Sequence, residues 1–228
     1  MDMVKVLEIK QSVFADNNRQ ADEIRQELKQ SQTFMLNLMS SPGSGKTTTL
    51  VRTIEALKDE LAIGVIEADI DSDVDAHTVA LAGARAIQLH TGGMCHMEAF
   101  MTRQGLDELG AGALDLVVLE NIGNLLCPAD FDTGAVKNAM ILSVPEGDDK
   151  PLKYPHMFSV VDVLLINKID ALAFFDFDFE AVSQRVKQLN PNIEIIPISA
   201  ETGQGIEQWA AWIRREVRRW QSADGQPQ

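Results

Sequence analysis

A glycine-rich loop at residues 41–48 is the segment of this sequence that points most directly to chemistry. Such a loop directs backbone N–H groups at phosphate oxygens, and the helix after it presents the positive end of its dipole to the same anion. Lys46 would place a charge beside the β and γ phosphates, and the Thr47 hydroxyl would bind Mg²⁺. The usual pattern begins with glycine, where this sequence has Ser40. The loop predicts binding of a nucleoside triphosphate through Gly43, Ser44, Gly45, Lys46, Thr47 and Thr48.

A tetrapeptide that contains Asn167, Lys168 and Asp170 predicts which base is bound. The carboxylate of Asp170 can accept hydrogen bonds from the ring N–H and the exocyclic amino group of guanine, whereas adenine offers no such pair. A buried carboxylate left without partners is penalised, so recognition of this kind discriminates by roughly 10⁴. Ser199 and Ala200 follow the next apolar run and are expected to complete the base site. The nucleotide is therefore expected to be GTP or GDP.

A carboxylate and a glycine follow the apolar run 114–119, and together they resemble a switch that senses the γ phosphate. Glu120 would hold Mg²⁺ through water, and Gly123 would offer its N–H to the γ phosphate while permitting close approach. The residues that we expect to act in hydrolysis are Lys46, Asp75, Glu120 and Gly123.

Four aspartates follow the second apolar run, and so many carboxylates would repel one another unless a cation intervenes. A calcium-binding loop is excluded because its sixth and twelfth positions hold valine and alanine. We expect Asp69 and Asp75 to serve Mg²⁺ and the attacking water, and Asp71 and Asp73 to be solvated surface charge. The expected Mg²⁺ site then consists of Thr47, Asp69 and Glu120.

The sequence has two cysteines, and one of them stands beside a histidine. Cys95 and His96 lie where a strand has ended and a helix is expected to start, and Cys127 also lies beyond a strand end. Thiolate and imidazole together select Ni²⁺, Zn²⁺ or Cu⁺, and three ligands leave a four-coordinate site incomplete. Two chains across a twofold axis would complete it. The alternative is that both cysteines are small buried apolar residues and that His96 makes a capping contact.

Seven apolar runs that alternate with helical patterns are expected to position these motifs. Such alternation predicts a mostly parallel α/β sheet flanked by helices, with ligands beyond the carboxyl ends of the strands. We expect an amino-terminal helical arm (1–31) of one or two helices, a P-loop domain (32–221) and a flexible tail (222–228). A final helix near 205–220 is expected to dock with a basic outer face. The runs are 34–39, 62–66, 86–89, 114–119, 139–144, 160–166 and 193–198.

The composition restricts the class of partner. A net charge of −14 and a pI near 4.6 disfavour nucleic acid and anionic membranes, because both would be repelled. No apolar run is long enough to span a bilayer, and the start of the chain lacks the basic-then-apolar pattern of a secretion signal. We therefore expect a cytoplasmic protein.

Taken together, the phosphate loop, the Cys95-His96 pair, the segment 120–132 and the tetrapeptide 167–170 resemble the hydrogenase nickel-incorporation GTPases, the HypB family. The resemblance implies a P-loop NTPase fold of the SIMIBI type, a homodimer promoted by GTP, and nickel or zinc bound at the subunit interface by Cys95, His96 and Cys127. It further implies help in loading nickel into the large-subunit precursor of [NiFe] hydrogenase, with a HypA-type nickel protein as partner.

The sequence departs from some members of that family in two places. Phe100 stands where some members carry a further histidine, and the amino-terminal cysteine-rich motif and the histidine-rich stretch are missing, which disfavours nickel storage. Two alternatives to the hydrogenase role stay open. One is a urease or cobalamin-enzyme accessory GTPase of the same group, and the other is a metal-binding regulator that does not hydrolyse its nucleotide.

Overall fold

The computed structural model describes residues 9–69 and 74–222, with side chains for 14–68 and 76–222. Its seven strands form one parallel sheet in the order β3-β2-β4-β1-β5-β6-β7. Each of the seven predicted runs forms one of these strands, so the predicted parallel α/β sheet is confirmed. The strands are β1 Phe34–Ser40, β2 Ile63–Asp69, β3 Arg85–His90, β4 Leu116–Glu120, β5 Lys137–Ser143, β6 Val163–Asn167 and β7 Glu194–Pro197.

Helices cover both faces of the sheet, and 3-10 turns lie at 111–113, 144–146 and 169–174. The described part of the predicted arm is one continuous helix rather than two. The helices are α1 Ile9–Gln30, α2 Lys46–Leu57, α3 Val74–Ala82, α4 Ala99–Leu109, α5 Cys127–Asp130, α6 Lys150–Lys153, α7 Pro155–Val160, α8 Phe179–Leu189 and α9 Ile206–Ser222.

The core lies in layers above and below the sheet. One cluster packs the sheet against α2 and α9, a second packs it against α1 and α4, and a third packs it against α7 and α8. Strands buried on both faces need continuous apolar runs, and every residue of β1, β4 and β6 is buried. The central strand β1 lies between β4 and β5, so the loop after β1 opens at the middle of the carboxyl edge.

The final helix docks as expected, but its outer face is not simply basic. Trp209 and Trp212 are buried, and Trp209 Nε1 donates to Thr53 Oγ1 at 2.9 Å. Three of the arginines on the other side, Arg214, Arg215 and Arg219, pair with glutamates, for example Arg214 with Glu60 at 2.9 Å. These pairs largely neutralise the predicted basic face. Among the helices of residues 9–69 and 74–222, none combines the length and apolar character needed to cross a bilayer.

Candidate nucleotide and metal site

The phosphate loop follows β1, and α2 begins at Lys46 without a side-chain cap. Its first N–H groups are therefore available to an anion. Gly43 and Gly45 adopt positive φ angles of 76° and 96°, which glycine tolerates and other residues rarely do. Ser40 stands where the usual pattern has glycine, and its side chain has a structural role. Its buried Oγ accepts from Lys46 Nζ at 3.1 Å and from Ser44 Oγ at 2.7 Å. The serine thus anchors the lysine that would meet the phosphates.

The carboxyl end of β4 lies directly against the phosphate loop. Thr47 Oγ1 donates to Glu120 Oε1 at 3.3 Å, so the two side chains meet at one point. A Cβ added to Gly123 would lie 3.1 Å from Pro42, which shows how closely this segment approaches the loop. Paired hydroxyl and carboxylate oxygens are donors that suit a hard cation such as Mg²⁺.

The aspartates predicted beside this point are placed only in part. Asp69 is the last residue of β2, and Asp75 is the second residue of α3, so the backbone of both lies at this end of the sheet. Their side chains, and all of Asp71 and Asp73, lie outside the described part of the structure. Their assignments to Mg²⁺ and to the attacking water stay predictions.

The predicted guanine-binding segment is hydrogen-bonded to the phosphate loop and to the loop that follows β7. Asn167 Nδ2 donates to Ser44 O at 2.9 Å, and Asn167 Oδ1 accepts from Ala200 N at 3.1 Å. Lys168 Nζ donates to Gly43 O at 2.7 Å.

The side chain that would bind the base is itself held in place. Ser199 Oγ donates to Asp170 Oδ1 at 2.5 Å, and this fixes the orientation of the carboxylate. Arg52 on α2 donates to the carbonyls of Ala200 and Glu201 and so braces the same loop. Sequence reasoning missed Arg52, because an arginine in a helical pattern carries no signal of a distant carbonyl.

Cys95, His96 and Cys127 form a cluster at the same edge of the sheet. One potential ligand atom from each lies within 4.8 Å of the others. Cys95 Sγ donates to Cys127 Sγ at 3.0 Å and lies 3.8 Å from His96 Nδ1. Cys95 is exposed and Cys127 is half-buried, so the alternative of two buried structural cysteines is wrong.

The pair at 95–96 lies in the loop between β3 and α4, not at the start of the helix as expected. The loop contains two consecutive glycines with positive φ, Gly92 and Gly93, and α4 begins only at Ala99. Asn124 Nδ2 donates to Cys95 O at 3.3 Å and links this loop to the one that carries Cys127.

Contacts within and around the cluster orient the imidazole ring of His96 and raise the pKa of the Cys95 thiol. His96 Nε2 lies 3.2 Å from Glu98 Oε1, and because a carboxylate only accepts, Nε2 is the donor and Nδ1 is the ring nitrogen that faces Cys95 Sγ. The ring stacks on Phe131 with centroids 3.8 Å apart. The hydrogen bond with Cys127 raises the pKa of the Cys95 thiol above its ordinary value, since it favours the protonated form. Leu126 beside the cluster is 61% exposed.

Comparison with known proteins places these features in one group. Residues 34–197 match the family described as "CobW/HypB/UreG, nucleotide-binding domain". The hydrogenase maturation factor HypB of Azotobacter vinelandii is 45% identical over 212 residues, which cover 93% of this chain and 70% of that protein.

Two solved structures are also similar along most of the chain. HypB from Archaeoglobus fulgidus has a TM-score of 0.83 and 37% identity, and the match covers 89% of this chain and 99% of that one. HypB from Helicobacter pylori, crystallised in complex with nickel, has a TM-score of 0.84 and 35% identity, with 93% of this chain and all of that one covered.

Proposed function

Because the chain belongs to the CobW/HypB/UreG family, and within it to the HypB hydrogenase maturation GTPases, we propose that it is a GTP-hydrolysing metallochaperone. It would assist the insertion of nickel into the large-subunit precursor of [NiFe] hydrogenase. The observation that carries this proposal is the cluster of Cys95, His96 and Cys127, with ligand atoms within 4.8 Å, on the edge of the sheet that also carries the phosphate loop.

The nucleotide pocket supports GTP as the substrate. Asp170, held by Ser199, would accept from guanine, while Asn167 and Lys168 tie that loop to the phosphate loop. Lys46 would leave Ser40 and turn to the β and γ phosphates. Lys46 would then exchange a neutral hydroxyl for charged phosphate oxygens, and these stronger hydrogen bonds favour the nucleotide-bound state.

Hydrolysis would use groups at the ends of β2 and β4. Mg²⁺, held by Thr47, Asp69 and Glu120, would neutralise charge between the β and γ phosphates when bound. Asp75 would orient the attacking water, and the Gly123 N–H would contact the γ phosphate. The contact between Thr47 and Glu120 supports this arrangement. Slow intrinsic turnover is expected, because none of the arginines that the structure describes has an obvious place beside the γ phosphate.

The cargo metal would be bound by two thiolates and the Nδ1 of His96. This donor set suits Ni²⁺ and Zn²⁺, and the similar Helicobacter protein was crystallised with nickel. Three donors leave a four-coordinate ion incomplete. A second copy of the chain would complete the site, and two exposed side chains, Leu126 next to Cys127 in sequence and Phe100 in the first turn of α4, offer apolar surface for such a homodimer.

GTP and metal would be coupled through the segment between Glu120 and Cys127. Its first residue contacts Thr47 of the phosphate loop, and Asn124 in its middle holds the Cys95 carbonyl. Loss of the γ phosphate would move this segment and with it one thiolate. A HypA-type nickel protein and the hydrogenase large-subunit precursor would be the partners that give and receive the metal.

Two other functions make different predictions. A urease or cobalamin-enzyme accessory GTPase would share the pocket, but the similar Azotobacter protein is a hydrogenase maturation factor. A metal-binding regulator without hydrolysis would release no phosphate from GTP.

The proposal is tested by two measurements on the same protein. The wild type is expected to release phosphate steadily from GTP, and Lys46→Ala is expected to abolish this release. If the wild type released no phosphate, only the function of a metal-binding regulator without hydrolysis would remain. Nickel titration should show weakened binding in Cys95→Ala and Cys127→Ala with GDP affinity unchanged. Unchanged nickel affinity in both variants would contradict the assigned ligands.

A further inference from the structure

The amino-terminal helix α1 contacts both segments that carry the metal-binding side chains. Cys95 and His96 lie in the loop before α4, and Cys127 begins α5 in the connection between β4 and β5. These segments are more than thirty positions apart in sequence. The distance between the two segments in space is therefore set by tertiary contacts and not by the length of chain that connects them.

A single buried amide on α1 bridges them. Asn17 is only 6% exposed, and its Oδ1 accepts from Ala99 N, the first residue of α4, at 2.9 Å. Its Nδ2 donates to Asp132 O at 2.9 Å. Ala99 follows His96 by three residues, and Asp132 follows Cys127 by five. Both ends of a buried amide are thus satisfied, one by each segment, and breaking either bond would leave a buried polar group unpaired.

Other contacts of α1 hold it against the segment after Cys127. Arg25 pairs with the Asp132 carboxylate, and its Nε donates to Ala135 O at 3.1 Å. A Cβ added to Gly134 would lie 2.8 Å from Ile24, so helix and segment are in direct contact. This side of the bridge is therefore rigidly packed.

The same helix also contacts α4 and, through Phe131, supports the imidazole ring of His96. Arg103 on α4 donates to both carboxylate oxygens of Glu27, at 2.7 and 2.8 Å. Phe14 packs on Phe131 with centroids 5.0 Å apart, and Phe131 stacks on the ring of His96. The helix thus supports both sides of the metal cluster.

We infer that Asn17 is a positioning residue for the metal site: its amide holds the two segments at the separation at which Cys95, His96 and Cys127 reach one ion. This inference rests on the proposed metal binding and assigns α1 the role of a clamp. Loss of the amide would let the segments separate and would weaken metal binding without removing a ligand.

Three variants of the full chain test the clamp. Asn17→Ala removes both hydrogen bonds, and Asn17→Asp keeps the acceptor for Ala99 N but places a carboxylate against the Asp132 carbonyl. Asn18→Ala alters the exposed neighbour on the same helix and is the matched control. Nickel affinity is measured by competition with a chelator, together with the thiolate-to-nickel charge-transfer absorption and the affinity for GDP without metal.

Both Asn17 variants should bind nickel about tenfold more weakly, the effect typical of losing an outer support of a metal ligand. The charge-transfer band should shift, while GDP affinity and the control stay within twofold of the wild type. Unchanged nickel affinity would overturn the inference. An equal loss of nickel and GDP affinity would also overturn it, because Asn17 would then support the whole domain.

A readout on the metal-free protein separates this inference from the proposed function. Phenylarsine oxide bridges two thiols that lie close together, so it reports the separation of Cys95 and Cys127 directly. Bridging should be several-fold slower in both Asn17 variants than in Asn18→Ala. If the wild type did not bind nickel, the proposed metal-binding function would be refuted. The rate at which phenylarsine oxide bridges the two thiols would still decide whether Asn17 holds the segments together. Equal rates in all variants would refute the clamp.

Discussion

Gly45 occupies the point at which the phosphate loop touches the guanine-binding segment, and one added methyl group tests that junction. A Cβ at Gly45 would lie 2.6 Å from Asn167 Nδ2, so the asparagine would have to move. Asn167 would then lose its bonds to Ser44 O and Ala200 N. Gly43 has a similar positive φ but nothing within 4 Å of its Cβ position, which makes Gly43→Ala the matched control.

The difference in stability between Gly45→Ala and Gly43→Ala measures the contribution of the contact between the phosphate loop and Asn167. Alanine at positive φ costs about 1–3 kcal/mol in either position. The two hydrogen bonds of Asn167 add about 0.5–1.5 kcal/mol each, so Gly45→Ala should lose about 2 kcal/mol more. In a domain of this size each kcal/mol lowers the melting temperature by about 2–4 °C. Gly45→Ala should therefore melt about 4–8 °C below Gly43→Ala.

The assay is thermal unfolding of both variants without nucleotide, followed by titration with GDP. Gly45→Ala should also bind GDP more weakly than Gly43→Ala, because Asn167 is displaced together with the loop it supports. Equal melting temperatures and equal GDP affinities would refute the view that Asn167 joins the two loops.

Substitutions at three further positions give distinct outcomes. Asp170→Asn should weaken GTP binding and admit xanthosine triphosphate in a competition assay, and unchanged GTP affinity would contradict the base assignment. Glu98→Ala should lower nickel affinity about tenfold, because His96 loses its hydrogen-bond acceptor. Glu98→Gln should not lower it, because the amide oxygen still accepts from His96. Equal nickel affinities of Glu98→Ala and the wild type would show that Glu98 does not support the His96 ligand. Leu126→Asp should leave the fold intact, since Leu126 is 61% exposed, and should reduce the dimer seen by light scattering with a GTP analogue and metal. An unchanged dimer fraction would place the interface elsewhere.

The sheet and the nucleotide site could be predicted because their signals are local. A strand buried on both faces must be a continuous apolar run, and the end of such a run marks where ligands bind. The phosphate loop follows β1 directly, and Asn167 ends β6, so parallel pairing brings them to one edge. The seven strands therefore appear where the pattern predicts them.

The support of the metal site could not be predicted because it depends on distant partners. Asn17 lies in a polar stretch and is 115 positions from the carbonyl it bonds, so no local pattern marks it. The start of α4 also differs from the prediction. The expected start lay at Cys95 and His96, but Gly92 and Gly93 extend the loop, and the first N–H of the helix is bonded by Asn17 instead of a local side chain.

The central claim is that nucleotide state and metal affinity are coupled through the segment from Glu120 to Cys127. Nickel affinity measured side by side with GDP and with a non-hydrolysable GTP analogue tests it most directly. The two affinities should differ by about 5-fold or more, the lower end of typical coupling between sites. Identical affinities in the two nucleotide states would contradict the claim.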